Sequence, residues 1–444
     1  MSRWLALVVL SLAQLMDILD STIVTIALPT AQRDLGFPAD NRQWILTGYA
    51  LAFGSLLLLG GRLSDFFGRK RMFLVGVGGF AVASAFGGAA GDFATLLAAR
   101  IGQGVFAALL APAALSLLSV TFAEDAEERG RAFGIFGAIS GAGGAIGLLL
   151  GGVLTQGLSW RWCLYVNLFI AAVAFVGGIV VLRDGDRPAR VRPDIAGTVT
   201  VVLGLIGIVY GLGTAELHGW SDLRTIGPVV AGSALIGAFV AIERRAAHLL
   251  LPLRVIMDRT RGAAYLSLGI CGTGMFAVFL FLTYHLTTAL GFTPVQTGLA
   301  FLPMIASVMA GAVFSGAVLL PRTGPRPLVP IGCVLAAIGM VMLTGSGYAT
   351  GILPALLVTG VGFGLIFGPV QNAATSGVGP HDAGVAAALV TTAQQIGGSI
   401  GLAVFSSLAG DHVVFGITAV VFLVSAVVAA TVFRPGPLPV NDMA

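Results

Sequence analysis

Asp17 and Asp20 stand three residues apart in an apolar run from Trp4 to Pro29, flanked by Arg3 and Arg33. Residues at that spacing share one helix face. A carboxylate at mid-bilayer costs about 2.5–3.5 kcal/mol on insertion scales. Two on one face need water, protein or a translocated solute beside them, and carboxyl groups so placed can take up and release protons. A third ionisable group, Arg100, lies in a later apolar run. The first run leads outward and the fourth inward. At 1.5 Å per residue, Asp20 and Arg100 both lie roughly 10–14 Å below the outer surface. That depth admits an Asp20–Arg100 ion pair. Asp17 and Gln103 match one turn deeper, where Asp17 has no cation at its level. Which of the two aspartates carries a proton stays open.

The elements that hold these residues must cross a membrane. The chain is 57% hydrophobic and 10% charged, where a soluble domain carries about 25% charged residues. Spans in lipid must be helices, because lipid offers backbone groups no partner. The 63 glycines suit close helix packing. The fold class expected is an all-α polytopic membrane protein with about fourteen spans of ~20 residues. The first apolar run is too long for a cleaved signal and is expected to stay as an anchor. The net charge of +4 belongs to loops and does not indicate nucleic acid. Cys163, Cys271 and Cys333 show neither metal spacing nor a disulfide framework. An even number of spans puts both termini on one side. With that side cytoplasmic, about 19 of the Lys and Arg residues lie inside and about four outside.

The chain also repeats. Leu96 to Gly104 aligns with Leu356 to Gly364, and Gly143 to Leu148 with Gly397 to Leu402. Six spans with loops would give an offset of roughly 200 residues; the larger offset seen accommodates two extra spans. The expected plan is a six-helix bundle over 1–182, a linker with two extra spans over 183–261, and a second bundle over 262–444. Parallel repeats place a site at midplane between the halves. Asp17, Asp20 and Arg100 all fall in the first half, and Gly360 aligns with Arg100. Gln103 and Asn167, with Tyr284, Gln371, Asn372 and Gln394 from the second half, are the expected substrate contacts. Gly143, Gly147 and Gly151 form a smooth face for helix packing.

Between spans two and three runs Gly61-Arg62-Leu63-Ser64-Asp65-Phe66-Phe67-Gly68-Arg69-Lys70-Arg71. Its glycines permit a tight reversal, and Asp65 can face a helix N-terminus. Near Gly324 a remnant of this loop has Pro321 where Asp65 would align.

This loop resembles the signature loop of the major facilitator superfamily. Leu19-Asp20-Ser21-Thr22-Ile23-Val24, running to Ala27-Leu28-Pro29, is similar to the first-span motif of its fourteen-span drug:proton antiporter family. Arg100-Ile101-Gly102-Gln103-Gly104 resembles the fourth-span motif tied there to proton transfer, and Trp160-Arg161-Trp162 with Tyr165 and Asn167 the boundary before span six. Two departures stand out. Leu148 follows Gly147 where the fifth-span motif usually has proline, and Phe169 stands where the family often has proline. The resemblance covers essentially the whole chain. It implies a major facilitator fold and proton-coupled efflux of drugs or natural products from the inner or plasma membrane. Asp20, Asp17 and Arg100 would couple to protons. Gly61, Asp65, Gly68, Arg69 and Lys70 would form a conformational latch. Protonation of an aspartate in the cavity would disfavour the bound substrate. The partners implied are a lipophilic small molecule, a cationic one among the candidates, together with protons and the bilayer. No cofactor, metal or oligomer is expected.

Two alternatives stand beside this. One is proton-coupled transport of a single metabolite, which Leu148 motivates. The other is a membrane-embedded enzyme, for which no paired His/Asp or nucleophile constellation appears. Gly397-Gly398-Ser399-Ile400-Gly401 matches a hydrolase elbow, but it lies in mid-span and is explained by the repeat.

Overall fold

A computed structural model describes residues 3–38, 41–183, 195–244, 253–343, 347–379, 382–406 and 411–438. Regular structure among them is entirely helical: α1 (Arg3–Leu35), α2 (Arg42–Phe67), α3 (Arg69–Gly88), α4 (Phe93–Thr121), α5 (Ala126–Gly157), α6 (Trp162–Val181), α7 (Ile195–His218), α8 (Leu223–Glu243), α9 (Leu253–Met257), α10 (Arg259–Tyr284), α11 (Pro294–Phe314), α12 (Leu320–Thr323), α13 (Pro325–Met342), α14 (Leu353–Thr375), α15 (Ala383–Ser406) and α16 (Asp411–Val432). Wide π-helical turns extend α10 and precede α12 and α14. Ten of the described helices are long and apolar enough to cross a membrane. The long helices α5, α7, α10 and α15 have 32, 24, 26 and 24 residues. Even 24 residues reach about 36 Å, beyond a hydrocarbon core of ~30 Å. The first part of the expected 183–261 linker, residues 184–194, lies outside the described residues.

The first helix runs further than its apolar stretch. It continues through Pro29 to Leu35, with Gly36 at φ +67° ending it. A proline removes one helical hydrogen bond, and side chains from the α5–α6 turn hold the end in place. Asp34 accepts from Trp160 Nε1 at 2.9 Å and from Arg161 Nη2 at 3.0 Å. Arg161 Nη1 also donates to the carbonyl of Ala90 at 2.7 Å.

Small residues set how closely the helices approach. A Cβ added at Gly147 would lie 1.9 Å from Thr22 Oγ1, and one at Gly143 would lie 2.7 Å from Ile18 Cγ2. With Gly151 against Ile23, this glycine face seats α1 directly on α5. The other face of α5 meets later helices. Gly130 packs on Gly316, Gly134 on the Ala312 carbonyl and Gly137 on Gly368 of α14. The reversals after α2 and α12 both turn on glycine, with Gly68 at φ +94° and Gly324 at φ +71°.

The pair α7–α8 interlocks through Gly204, Gly207 and Gly211 against Gly232 and the Pro228 and Thr225 carbonyls. It lies on both α2 and α15: Val201 and Leu205 of α7 join one buried cluster with Leu58, Val385 and Ala388. Trp44 stacks on Tyr210 at 6.0 Å.

The close approaches predict a stability contrast. At Gly60 a Cβ would lie 1.9 Å from the Ala108 carbonyl oxygen, whereas Gly91 has nothing within 4 Å. Gly60→Ala should cost about 1–3 kcal/mol through overpacking and lower the thermal midpoint in detergent. Gly91→Ala should leave it unchanged within error.

Candidate functional site

Asp20 sits at the centre of a closed hydrogen-bonding cage. Its Oδ2 accepts from Arg100 Nη1 in a direct ion pair. Its Oδ1 accepts from Gln103 Nε2 at 2.9 Å and from Asn167 Nδ2 at 2.6 Å. Arg100 Nη1 also donates to Gln103 Oε1 at 2.7 Å, and Gln103 Nε2 to Ser84 Oγ at 2.8 Å. Asp20 is 0% exposed and Arg100 1%. Removing two charges from water is costly unless their remaining lone pairs and protons are satisfied. Here the motif spacing satisfies them. Arg100 and Gln103 lie one turn apart on α4, so both face the same carboxylate.

Asp17 lies one turn from Asp20 and is also buried. Its Oδ1 accepts from the Tyr49 hydroxyl of α2 at 2.5 Å. The guanidinium carbon of Arg100 stands 4.4 Å over the Tyr49 ring. The two aspartates therefore share a face but not an environment.

This arrangement differs from the expectation of a carboxylate open to a hydrated passage. Every described hydrogen-bond partner of Asp20 lies on α4 or α6, and Gln103 and Asn167 are fully buried among them. Both side chains hold the carboxylate and have no exposed surface for a solute in this conformation. The physical reason is saturation. The oxygens of Asp20 already accept three protein donors.

A second constellation ties distant parts of the chain together. Asp65 Oδ1 accepts from the backbone N–H of Gly384 at 2.9 Å, and Oδ2 from that of Val385 at 3.3 Å. A carboxylate of α2 thus caps the N-terminus of α15, where the helix dipole favours negative charge. Gly61 makes room: a Cβ there would lie 2.5 Å from the Gly384 carbonyl. Arg69 lies 4.0 Å from Asp65. Lys70 instead donates to the Ile179 carbonyl of α6 at 3.0 Å. Of the expected latch residues, Gly61 and Asp65 cross to α15, Gly68 supplies the turn, Arg69 backs the carboxylate, and Lys70 anchors the first six helices.

At the same end, buried Arg129 of α5 donates Nε to Asn372 Oδ1 at 2.7 Å and Nη2 to Thr375 Oγ1 at 3.2 Å, both on α14. Asn372, expected among substrate contacts, lies in this tie. Gln371 beside it is buried, and its Oε1 accepts no hydrogen bond among the described residues. Gln394 is half-buried on α15, its carbonyl against Gly272 of α10. The Tyr284 side chain lies outside the described residues.

Sequence reasoning missed Tyr49, Ser84 and Arg129. Tyr49 was findable, since counting inward from the outer end of span two puts it near the level of Arg100. Arg129 adjoins an acidic run that reads as loop, and nothing local in the sequence signals its partners 243 and 246 residues away.

The chain resembles known proteins over nearly all its length. Residues 10–402 match the family described as Major Facilitator Superfamily. The chain is 48% identical over 412 residues to a puromycin resistance protein of Streptomyces alboniger, covering 91% of this chain and 82% of that one. It is 38% identical over 414 residues to a cephamycin export protein of Amycolatopsis lactamdurans, covering 91% and 85%. A tetracenomycin C resistance and export protein of Streptomyces glaucescens is 34% identical over 415 residues, covering 92% and 76%. Among solved structures, the proton:xylose symporter XylE superposes with a TM-score of 0.70 at 14% identity, over 98% of this chain and 96% of that one. The human organic anion transporter MFSD10 gives 0.68 at 16%, over 97% and 100%. At those identities the two structures speak for the fold alone.

Two outcomes follow from the geometry. Arg100→Gln strands the buried Asp20 charge and should cost about 3–5 kcal/mol. Asp20→Asn/Arg100→Gln should recover part of that loss, which thermal melts read as non-additivity. Asp65→Asn weakens a charged cap worth about 0.5–2 kcal/mol. It should raise maleimide labelling of a cysteine placed at Ala388 several-fold.

Proposed function

The chain belongs to the major facilitator superfamily, and we propose that its export of natural products is driven by protons that enter in exchange. Export is the activity named for the relatives that match the chain nearly end to end. The observation that carries the proton reading is the buried Asp20–Arg100–Gln103–Asn167 cluster, beside which Asp17 accepts from the neutral Tyr49 hydroxyl.

In this reading both termini are cytoplasmic, residues 1–182 and 262–444 are the two moving bundles, and 183–261 carry the inserted pair. The Asp65 end is then the cytoplasmic end, and the ties from Asp65 and Arg129 hold it shut. Substrate leaves outward from this arrangement. Proton and solute do not compete for one exposed carboxylate, because Asp20 is enclosed within the first bundle. Coupling instead runs through packing. A proton on the aspartate pair weakens the charge-assisted bonds that tie α1 to α4 and α6. Charged hydrogen bonds are about twice as strong as neutral ones, so neutralisation loosens α1. The glycine face of α5, smooth at Gly143, Gly147 and Gly151, lets α1 shift against it. The halves then rock, the cytoplasmic ties release, and deprotonation inward resets the cycle.

The substrate class follows from the relatives. The three export and resistance relatives described above are each named for one antibiotic, which supports natural products as the substrate class. A puromycin-like amino nucleoside is the first compound to test, since the relative named for puromycin is 48% identical.

Inverted vesicles should accumulate puromycin when acidified inside, and collapsing the pH gradient should abolish accumulation. Uptake indifferent to the gradient would remove the proton from the mechanism. Asp20→Asn vesicles should concentrate the compound at least tenfold less.

A further inference from the structure

We propose that Tyr49 is a positioning residue for proton coupling, joining Asp17 to the Asp20–Arg100 pair so that the two carboxylates respond as one unit. The inference rests on the proton-driven reading above and adds to it a residue outside the motifs.

Tyr49 touches both sites with different parts of one side chain. Its hydroxyl donates to Asp17, and its ring face supports the Arg100 guanidinium that grips Asp20. A tyrosine has few torsions, so motion at the hydroxyl is motion of the ring. Phe53 stacks on that ring with centroids 5.6 Å apart. The backbone beneath is also held: a Cβ at Gly104 would lie 2.5 Å from the Tyr49 carbonyl oxygen and 3.1 Å from Phe53 N. The last glycine of the Arg100–Gly104 segment thus sets the separation of α2 and α4 at this level.

The surroundings leave Tyr49 as the link. The groups facing Asp17 that are charged or titratable are Asp20 on its own helix, Tyr49 on α2 and Arg100 on α4. Among the described residues, α5 presents glycines to α1, and the thiol of α6, Cys163, is engaged by Thr155. While Asp17 is ionised, its oxygen anchors the hydroxyl and the ring stays over Arg100. A hydronium ion from outer water gives up one O–H bond, a new O–H bond forms on Asp17, and water is left behind. The hydroxyl then holds a neutral acceptor, the ring is released, and Arg100 loses one wall of its site.

The test uses the full chain in proteoliposomes, with puromycin as the probe and proton release recorded across pH. Tyr49→Phe removes the O–H, and with it the anchor to Asp17, while leaving an aromatic ring for Phe53 to stack on. The midpoint of its puromycin-induced release should move by about one pH unit, the tenfold effect of one charge-assisted hydrogen bond. In an Asp17→Asn background, Tyr49→Phe should produce no further change. Tyr49→Leu, which removes ring and hydroxyl, should change the profile more than Tyr49→Phe. A Tyr49→Phe profile superimposable on the wild type would overturn the inference while leaving proton-driven export intact. So would a Tyr49→Phe effect that persists in full without Asp17. A wild type that releases no proton on adding puromycin would overturn both.

Discussion

One carboxylate paired with a guanidinium and held away from water is the constraint from which the rest of this structure follows. An isolated charge in a low-dielectric interior is penalised by several kcal/mol even after relaxation. Asp20 avoids that penalty only because Arg100, Gln103 and Asn167 meet its oxygens from two helices. Those donors must arrive together, so α1, α4 and α6 must sit at fixed separations. The glycines of α5 bring α1 in, and Gly104 brings α2 to α4. The small residues and the charged ones form a single arrangement.

The same economy shapes the Asp65 end, where the internal repeat shows its asymmetry. Gly61 meets Gly384, and Gly316 meets Gly130, as repeat-related backbone contacts. The chemistry on them differs. Asp65 caps α15 from across the seam. Its counterpart is Pro321, whose side chain offers no acceptor, and α5 is capped locally by Asp125, which accepts from Glu127 and Glu128 N–H groups. Arg129 supplies the missing tie by reaching α14. One tie is a carboxylate on a helix dipole and the other a guanidinium on neutral acceptors, so the two contacts are held by different physics.

The inserted pair belongs to this picture. By packing on α2 and α15 at once, it covers the same two helices that Asp65 joins.

Much of this was legible in the residues alone. Depth counting paired Asp20 with Arg100 because helical rise is constant and both helices begin at a membrane surface. The glycine spacing of α5 announced a packing face, and the Asp65 loop announced a helix to cap. The order of helices followed from the apolar runs, because a bilayer demands a fixed span length. Which helix each face meets did not follow. Gln103 and Asn167 read as open polar side chains, yet they enclose Asp20. Asn372 read as a solute contact, yet it receives Arg129. Tyr49 carried no local signal of Asp17. The sequence by itself determined the spans, their depth and the residues able to carry charge, since those depend on period and length. Only the tertiary structure decided which polar groups meet, because that depends on rotations of whole helices about their axes, set by packing contacts hundreds of residues apart.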